Sequence, residues 1–318
     1  MTFDVVTLGE AMLRLSVPSG DRLEDADRLD LHVAGAEANT AIALAQLGRQ
    51  VAWLSRLPDS PLGRRVGREL RAAGVDTSQV RWVSEARMGV YFVELAAPPR
   101  PVSVVYDRAG SAAAELSPED LPPGLVDTAK VVHLTGITPA LSDGCRRLAL
   151  ETAERARAAA CRLTVDINYR AKLWSPEAAN ECLTTLAAGA DIVVVTREDA
   201  RDVFGFIGEP AAVAAQARKR LQVGTVVVTL GDQGCLWDSA SGTGRVDALP
   251  TAIVDRLGAG DAFMAGVIDG VLDDDFERGL RTGTALASLA LGSRGDHVLT
   301  TREEVNRLVE GGGRAVDR

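Results

Sequence analysis

A glycine-rich turn at the start of a predicted helix carries the residue types best suited to chemistry. The run 253–266 predicts a short strand, a glycine turn and a helix. Gly258 and Gly260 tolerate backbone angles that other residues resist, so the N–H groups around Ala259 can point into one concavity at a helix N-terminus. Asp261 follows in the first helical turn, where the positive field of the helix would keep it ionised and able to accept a hydroxyl proton. The pattern predicts an anion hole beside a general base.

A simpler explanation of this motif is a glycine turn whose aspartate only caps the helix. Two nucleotide-binding motifs are excluded here. No Gly-Lys-Ser or Gly-Lys-Thr follows, as a Walker A loop requires, and Phe263 stands where a dinucleotide-binding loop needs its third glycine. No such glycine pattern follows the first predicted strand, 5–8, either, which argues against a dinucleotide-dependent dehydrogenase.

The elements that must position this turn alternate along the chain as short apolar runs and amphipathic segments. The predicted strands are 5–8, 51–57, 131–137, 163–167, 192–196 and 225–230, and the predicted helices are 36–47, 62–73, 145–160, 176–188 and 211–221. The repeated order of strand and helix favours a doubly wound α/β fold, with a mostly parallel sheet covered by helices on both faces.

Two segments interrupt this order, because residues 13–33 and 79–106 alternate apolar and polar side chains between turn signals and contain no good helix. They predict a second, smaller sheet that includes a hairpin of 90–94 and 102–106 around the proline-rich run 98–101. We expect a single domain over residues 1–318, with segments of approximately 11–33 and 84–108 inserted in the α/β core as a lid. After Asp255 the chain is predicted to be helical, and the glycine run 311–313 lacks the apolar content to pack.

Composition limits the classes of function. The chain has 318 residues, and its net charge of −9 repels phosphate backbones and anionic membranes, so neither nucleic acid nor a membrane is expected as a partner. Its four cysteines are far apart and show no Cys-x-x-Cys spacing, which argues against disulfides or structural zinc. The first residues lack the features of a secretory signal, and no run approaches the ~20 apolar residues of a membrane span. We therefore expect a cytoplasmic protein.

A second small-residue turn lies at 34–41, where Gly35 precedes a predicted helix with an early Asn39. The turn at 34–41 and the turn at 253–266 lie roughly two hundred residues apart. In this order they resemble the two signature regions of the PfkB (ribokinase-like) carbohydrate kinase family, and the resemblance covers nearly the whole chain. It implies a ribokinase-like fold and the transfer of a phosphoryl group from ATP to a sugar. It also implies that Asp261 is the base, while Gly258, Ala259 and Gly260 supply the anion hole.

The same resemblance suggests where ATP and Mg²⁺ bind. The segment of Thr229, Gly231 and Gly234 resembles the strand and turn that lie along the nucleotide in this family, and the alternative is a tight hairpin turn alone. Thr196 and Asp199 take the place of the family's Asn-x-x-Glu motif. Asp199 could organise water around Mg²⁺, and the alternative is a solvated acidic start of a helix.

Two other positions depart from the family pattern. Arg256 stands where a threonine is frequent, so the resemblance does not extend to a hydroxyl that would assist nucleotide or monovalent-cation binding. K⁺ is a further cation that the family allows. Ala34 stands where two glycines are usual, while Gly35 and Asn39, the positions expected to face the sugar, are kept.

Three segments narrow the acceptor, namely 105–112, 134–137 and 166–174. The run from Tyr106 to Ala112 and the Asp-x-Asn-x-Arg run that ends at Arg170 resemble 2-keto-3-deoxygluconate kinases within the family. The resemblance implies that Arg108 and Arg170 hold the carboxylate of a sugar acid, since a guanidinium fits a planar carboxylate in bidentate fashion. It also implies that Gly35, Asn39, Tyr91 and Tyr106 contact its hydroxyls.

Several alternatives remain at this point. Both arginines could instead pair with carboxylates of the protein. Fructokinases have a similar Asp-x-Asn-x-Arg segment, and a non-catalytic sensor of sugar acids or nucleotides would keep the fold without needing the base. The lid is a candidate surface for a homo-oligomer, because exposed edge strands commonly need covering.

Overall fold

The computed structural model describes residues 2–18, 20–95 and 100–311, and these residues form thirteen strands and nine α-helices. The strands are β1 (Val5–Leu8), β2 (Met12–Ser16), β3 (Asp30–Ala34), β4 (Val51–Pro58), β5 (Val80–Val83), β6 (Val90–Glu94), β7 (Ser103–Asp107), β8 (Val131–Thr135), β9 (Arg162–Asp166), β10 (Ile192–Thr196), β11 (Thr225–Thr229), β12 (Cys235–Ser239) and β13 (Gly242–Val246). The helices are α1 (Ala36–Gln46), α2 (Pro61–Ala72), α3 (Asp143–Ala158), α4 (Pro176–Ala187), α5 (Arg197–Phe204), α6 (Pro210–Leu221), α7 (Ala259–Leu272), α8 (Phe276–Leu291) and α9 (Arg302–Val309).

The large sheet has the strand order β13-β12-β11-β10-β9-β8-β1-β4-β5. The seven strands from β11 to β5 in this order run parallel, and β12 and β13 extend the sheet as antiparallel partners. Central strands such as β1 and β8 are buried along their whole length, as expected for a parallel sheet covered by helices on both faces. The predicted doubly wound α/β class is confirmed, and each of the six strands and five helices predicted for it has a counterpart within two residues at either end.

The small sheet, which we call the lid, has the order β3-β2-β6-β7. Its strands β2 and β6 are parallel, and the other two pairs are antiparallel. The hairpin of β6 and β7 forms as predicted, while residues 98–99 of its proline-rich run 98–101 lie outside the described residues. Of the glycine run 311–313, only Gly311 belongs to the described residues.

Two local predictions were wrong. The segment 79–83 does not join the lid, because β5 pairs in parallel with β4 at the edge of the large sheet. Residues 253–255 form no strand, since the N–H groups of Val254 and Asp255 both donate to the carbonyl of Leu291, at the end of α8, instead of to a neighbouring strand. A short apolar run does not by itself determine which sheet it joins, or whether it joins one.

Six of the nine helices in the described residues begin at a side-chain cap that accepts a hydrogen bond from an N–H group of the first turn. Ser142 and Thr301 accept such bonds at α3 and α9, and Ser175 does so before Pro176 at α4. No helix within the described ranges is long and apolar enough to cross a membrane.

Glycines fix the position of α7, the helix that begins at the glycine-rich turn. A Cβ atom at Gly266 would lie 2.1 Å from the backbone nitrogen of Gly283, and one at Gly270 would lie 2.3 Å from the Cα of Gly279. The backbones of α7 and α8 therefore pack against each other without intervening side chains. This close packing holds the N-terminus of α7 rigidly relative to the rest of the core.

Candidate active site

The candidate site lies at the carboxyl edge of the large sheet, where open α/β folds bind their ligands. Strand β9 ends at Asp166, β10 ends at Thr196, and β1 is followed by Glu10. The N-terminus of α7 joins these strand ends, since the carboxyl group of Asp261 interacts electrostatically with Asp166. The structure thus brings the glycine turn close to the carboxyl end of β9.

The two glycines of the turn have different reasons to be glycine. Gly258 is the N-cap of α7 and has a φ of 81°, in the left-handed region. A Cβ atom there would lie 1.6 Å from the carbonyl oxygen of Asp296, so no other residue fits. Gly260 is already helical, and a Cβ atom there would meet nothing within 4 Å. The expectation that Gly260 needs unusual backbone angles was therefore wrong, and its missing side chain instead leaves open space.

The carboxyl group of Asp261 is held by α1. The side-chain amide of Asn39 donates to its Oδ2 at 2.7 Å, and Thr40 Oγ1 donates to its backbone carbonyl at 3.1 Å. The Oδ1 atom of Asn39 is buried and has no partner among the described residues. Asn39 was expected to contact only the sugar, and its role as the partner of the proposed base was not predicted. The early position of Asn39 in the first signature was the only signal available.

Burial raises the pKa of Asp261 to about 8; the hydrogen bond from Asn39 acts in the lowering direction, and the nearby Asp166 adds to the rise. The expectation that this carboxyl stays ionised was wrong, because burial raises its pKa more than Asn39 and Arg170 lower it. A carboxyl group that titrates near pH 8 is nevertheless well matched to a base that exchanges protons under physiological conditions.

Asp166 and Asp199 are acidic neighbours of the proposed base. Burial, and then the charge of Asp199, raise the pKa of Asp166 to about 7, and burial also raises the pKa of Asp199. Asp199 accepts a hydrogen bond from the backbone N–H of Tyr169 at 3.2 Å, while its own N–H is capped by Thr196 at 2.9 Å. Asp199 therefore lies in the first turn of α5, but it is partly buried, so it is not the solvated acidic helix start considered as the alternative. Within the described residues, no group of three or more His, Cys, Asp or Glu could hold a metal ion by itself.

The predicted acceptor arginines line one cavity of about 730 Å³ between the lid and the segment after β9. Arg170 is exposed, and its guanidinium has no ion-pair partner among the described residues. Arg108 is paired with the buried carboxylate of Glu10, so for this residue the native-carboxylate alternative holds. Its Nε atom is nevertheless buried without an acceptor in the described part of the chain. Arg108 and Lys172 both lie over the ring of Tyr106, at 5.4 Å and 5.9 Å from its centre.

Two further predicted sugar contacts have partners inside the protein. Tyr91 is buried and donates its hydroxyl to Asp296, while its ring lies 5.5 Å from the ring of Tyr106. A Cβ atom at Gly35 would lie 2.2 Å from the carbonyl oxygen of Glu10, so packing against the backbone already requires glycine there. Glu10 thus contacts both Gly35 and Arg108, and sequence analysis did not identify it.

The predicted nucleotide segment forms a tight turn between two strands. Strand β11 ends at Thr229, and β12 returns antiparallel from Cys235. Gly234 has a φ of 85°, and a Cβ atom there would lie 2.1 Å from the carbonyl oxygen of Val246, so the neighbouring strand alone explains this glycine. Gly231 also has a positive φ, of 60°, but a Cβ atom there would meet nothing within 4 Å. Gly231 therefore leaves space at the surface of the turn.

A carboxyl group beside an open helix N-terminus, on a doubly wound sheet with a lid, fits an enzyme that moves a phosphoryl group to a small hydroxyl compound. The model of the pfkB family carbohydrate kinases matches residues 2–302, and the chain belongs to this family. It is therefore a carbohydrate kinase.

Similar proteins share this architecture over nearly their whole length. The chain is 40% identical to the 2-dehydro-3-deoxygalactonokinase of Haloferax volcanii, with 100% of both chains covered. It is 34% identical to the 2-dehydro-3-deoxygluconokinase of Thermoproteus tenax, over 96% of this chain and 94% of that one. The crystal structure of the 2-dehydro-3-deoxygluconokinase of Thermotoga maritima has a TM-score of 0.88 and 32% identity, and the match covers 96% of this chain and 99% of that one.

Proposed function

We propose that the protein transfers the γ-phosphoryl group of ATP to the terminal hydroxyl of 2-keto-3-deoxygluconate and so forms its 6-phosphate. The observation that carries this proposal is the guanidinium of Arg170, which makes no salt bridge with a described residue, lines the acceptor cavity and lies close enough to Asp261 to lower its pKa. An exposed guanidinium fork at this place fits a carboxylate, whereas a neutral sugar needs no such partner. The Thermoproteus and Thermotoga relatives are named 2-dehydro-3-deoxygluconokinases, and 2-dehydro-3-deoxygluconate is another name for 2-keto-3-deoxygluconate. Their names therefore support this choice of acid.

The residues of the site then have separate roles. Asp261 accepts the proton of the attacking hydroxyl, and Asn39 orients its carboxylate through the 2.7 Å hydrogen bond. The N–H groups of Gly258, Ala259 and Gly260 meet the charge that spreads over the transferring phosphoryl group. Arg170 binds the carboxylate of the acceptor, and the buried Nε of Arg108 supplies a second donor while Glu10 holds the rest of its guanidinium.

ATP would lie along the turn of Thr229, Gly231 and Gly234, where the open position of Gly231 leaves room for a ligand. Mg²⁺ would be held by Asp199, near Asp166, together with the phosphates; two carboxylates that repel each other across a cleft fit a divalent cation. When bound, Mg²⁺ neutralises charge on the phosphates. Dependence on K⁺, a cytoplasmic location and assembly through the lid stay predictions.

A comparison of acceptors tests the proposal. Purified protein with ATP and Mg²⁺ is assayed for ADP release with 2-keto-3-deoxygluconate, with its C4 epimer 2-keto-3-deoxygalactonate, and with fructose. We expect catalytic efficiency for at least one of the acids to exceed that for fructose by about 10²-fold or more, because fructose leaves the guanidinium without an anion. The galactonate is included because the Haloferax relative is named for it. A preference for the galactonate would mean that the acceptor is the C4 epimer and not 2-keto-3-deoxygluconate itself. A preference for fructose would overturn the proposal of a sugar-acid acceptor.

The two glycines of the turn should respond differently to alanine. Gly260→Ala should keep or raise the melting temperature, since alanine favours a helix over glycine by about 0.5–1 kcal/mol and the Cβ has free space. It should still lower kcat by about 10-fold or more, because the methyl group would occupy space intended for the phosphate. Gly258→Ala is the matched control. It should lower stability by at least about 1–2 kcal/mol, given its left-handed backbone. Thermal melts and steady-state kinetics check both, and an unchanged kcat in Gly260→Ala would remove this residue from the anion hole.

A further inference from the structure

A fully buried arginine connects the lid to the glycine turn. Arg14 lies on lid strand β2, and its side chain is only 1% exposed. Each of its three guanidinium nitrogens has an acceptor at 2.6 Å: Nε donates to Ser16, Nη1 to Asp296 and Nη2 to Asp255. Ser16 belongs to the lid, whereas both aspartates belong to segments that border the phosphate-binding turn. Arg14 is therefore a direct bridge between the two parts of the protein.

The two aspartates are the groups that hold the turn in place. Asp255 accepts a hydrogen bond from the backbone N–H of Leu257 at 3.2 Å and one from Gly295 at 3.4 Å. The carbonyl of Asp296 occupies the space where a Cβ atom of Gly258 would be. A displacement of either aspartate would consequently move the backbone on which the N–H groups of the anion hole depend.

The lid makes a second contact with this network. Tyr91, on the neighbouring lid strand β6, donates a hydrogen bond from its hydroxyl to Asp296. The same carboxylate accepts the hydrogen bond from Arg14. Its ring contacts Tyr106, which lines the acceptor cavity. A continuous set of contacts therefore runs from the acceptor cavity, through two lid strands, to the glycine turn.

Stability alone is a weak reason for such a network. It places one cation and two carboxylates where Asp255 and Asp296 are 1% and 6% exposed, and the loss of hydration offsets much of the attraction between them. Apolar side chains of similar volume commonly stabilise a core as well or better. What the ion network adds is a fixed geometry, because a guanidinium with three defined acceptors has one orientation.

We infer that Arg14 is a positioning residue for phosphoryl transfer, which sets the glycine turn of residues 258–260 relative to the lid. This inference rests on the proposed function of that turn. When lid strand β2 is in place, the guanidinium holds Asp255 and Asp296 so that the turn presents its N–H groups to the phosphoryl group. If the bridge is loosened, substrates still bind but the turn is no longer aligned with the reacting atoms.

Arg14→Lys tests this inference, because lysine keeps the charge but cannot reach three acceptors in fixed directions. We expect kcat to fall by about 10- to 100-fold, the usual cost of misplacing catalytic groups by about 1 Å, while KM for ATP and for the acceptor stay within about threefold. The matched control is Arg49→Lys. Arg49 also bridges two aspartates, Asp269 on α7 and Asp273 at its C-cap, but these lie at the opposite end of that helix. Its kcat should stay within about twofold of the wild type.

Both variants are measured well below their melting temperatures, with the folded fraction determined by circular dichroism. Equal small losses of kcat in the two variants, or losses that follow the folded fraction, would show that Arg14 is only a structural tie. If Arg14→Lys does not fold, Asp296→Asn removes one of the two ion pairs and should show the same selective loss of kcat. A wild-type protein without kinase activity would contradict the proposed function. An active wild type together with an Arg14→Lys variant of equal kcat would contradict only this inference.

Discussion

Replacing Asp261 with asparagine should lower kcat by about 10²–10⁴ while the fold and ATP binding are kept, which is the usual loss for a missing general base. An amide cannot take the proton of the attacking hydroxyl, yet its oxygen can still accept the hydrogen bond from Asn39. Asp273→Asn, a change of the same type at the other end of α7, is the matched control and should leave kcat unchanged. Steady-state kinetics and titration with a non-hydrolysable ATP analogue check this prediction.

The pH dependence of the wild type gives an independent measure of the same group. Because the pKa of Asp261 is raised to about 8, its carboxyl is mostly protonated at neutral pH and cannot act as a base in that form. We therefore expect kcat/KM for the acceptor to rise with pH up to about 8 and then level off, with a slope near tenfold per pH unit on the acid side. Asp261→Asn should lose this rise. Near-normal turnover in that variant would instead leave Asp261 with a structural role as the acceptor of the hydrogen bond from Asn39.

Replacing Arg170 with alanine should reduce catalytic efficiency for 2-keto-3-deoxygluconate by about two to three orders of magnitude, while efficiency for fructose should hardly change. Removing one partner of a charge pair that is desolvated on binding costs roughly 2–5 kcal/mol. Fructose has no carboxylate, so it serves as an internal control for damage to the fold or to ATP binding. Arg170→Lys keeps the charge without the bidentate fork and should lose less than the alanine variant.

Parallel assays of the three proteins with both acceptors check this expectation. An equal loss for the acid and for fructose would mean that Arg170 supports the site in general, for example by lowering the pKa of Asp261. Such a result, together with fructose as the better wild-type substrate, would favour the fructokinase alternative. Retained preference for the acid in Arg170→Ala would place the carboxylate on Arg108 instead, whose buried Nε has no acceptor among the described residues.

The amino-acid sequence alone determined the α/β class, the order of the main strands and helices, and the position of Asp261 behind two glycines. These features are local. Strands such as β10 and β11 are nearly continuous valine runs, and helices α3 and α9 begin at serine and threonine caps, so a few neighbouring residues contain the necessary information. The two signature segments could also be found in this way, since each is a short run of fixed spacing.

Only the tertiary structure decided which partners these residues have. Asn39 binds Asp261 across 222 positions of the chain, and Arg14 reaches Asp255 and Asp296 across 241 and 282 positions. Arg108 pairs with Glu10, 98 positions away, although sequence analysis could equally place it on a ligand. Such pairs depend on how sheets and helices pack. The raised pKa of Asp261 has the same origin, because desolvation depends on everything that surrounds a carboxyl group, and no local pattern of residues records it.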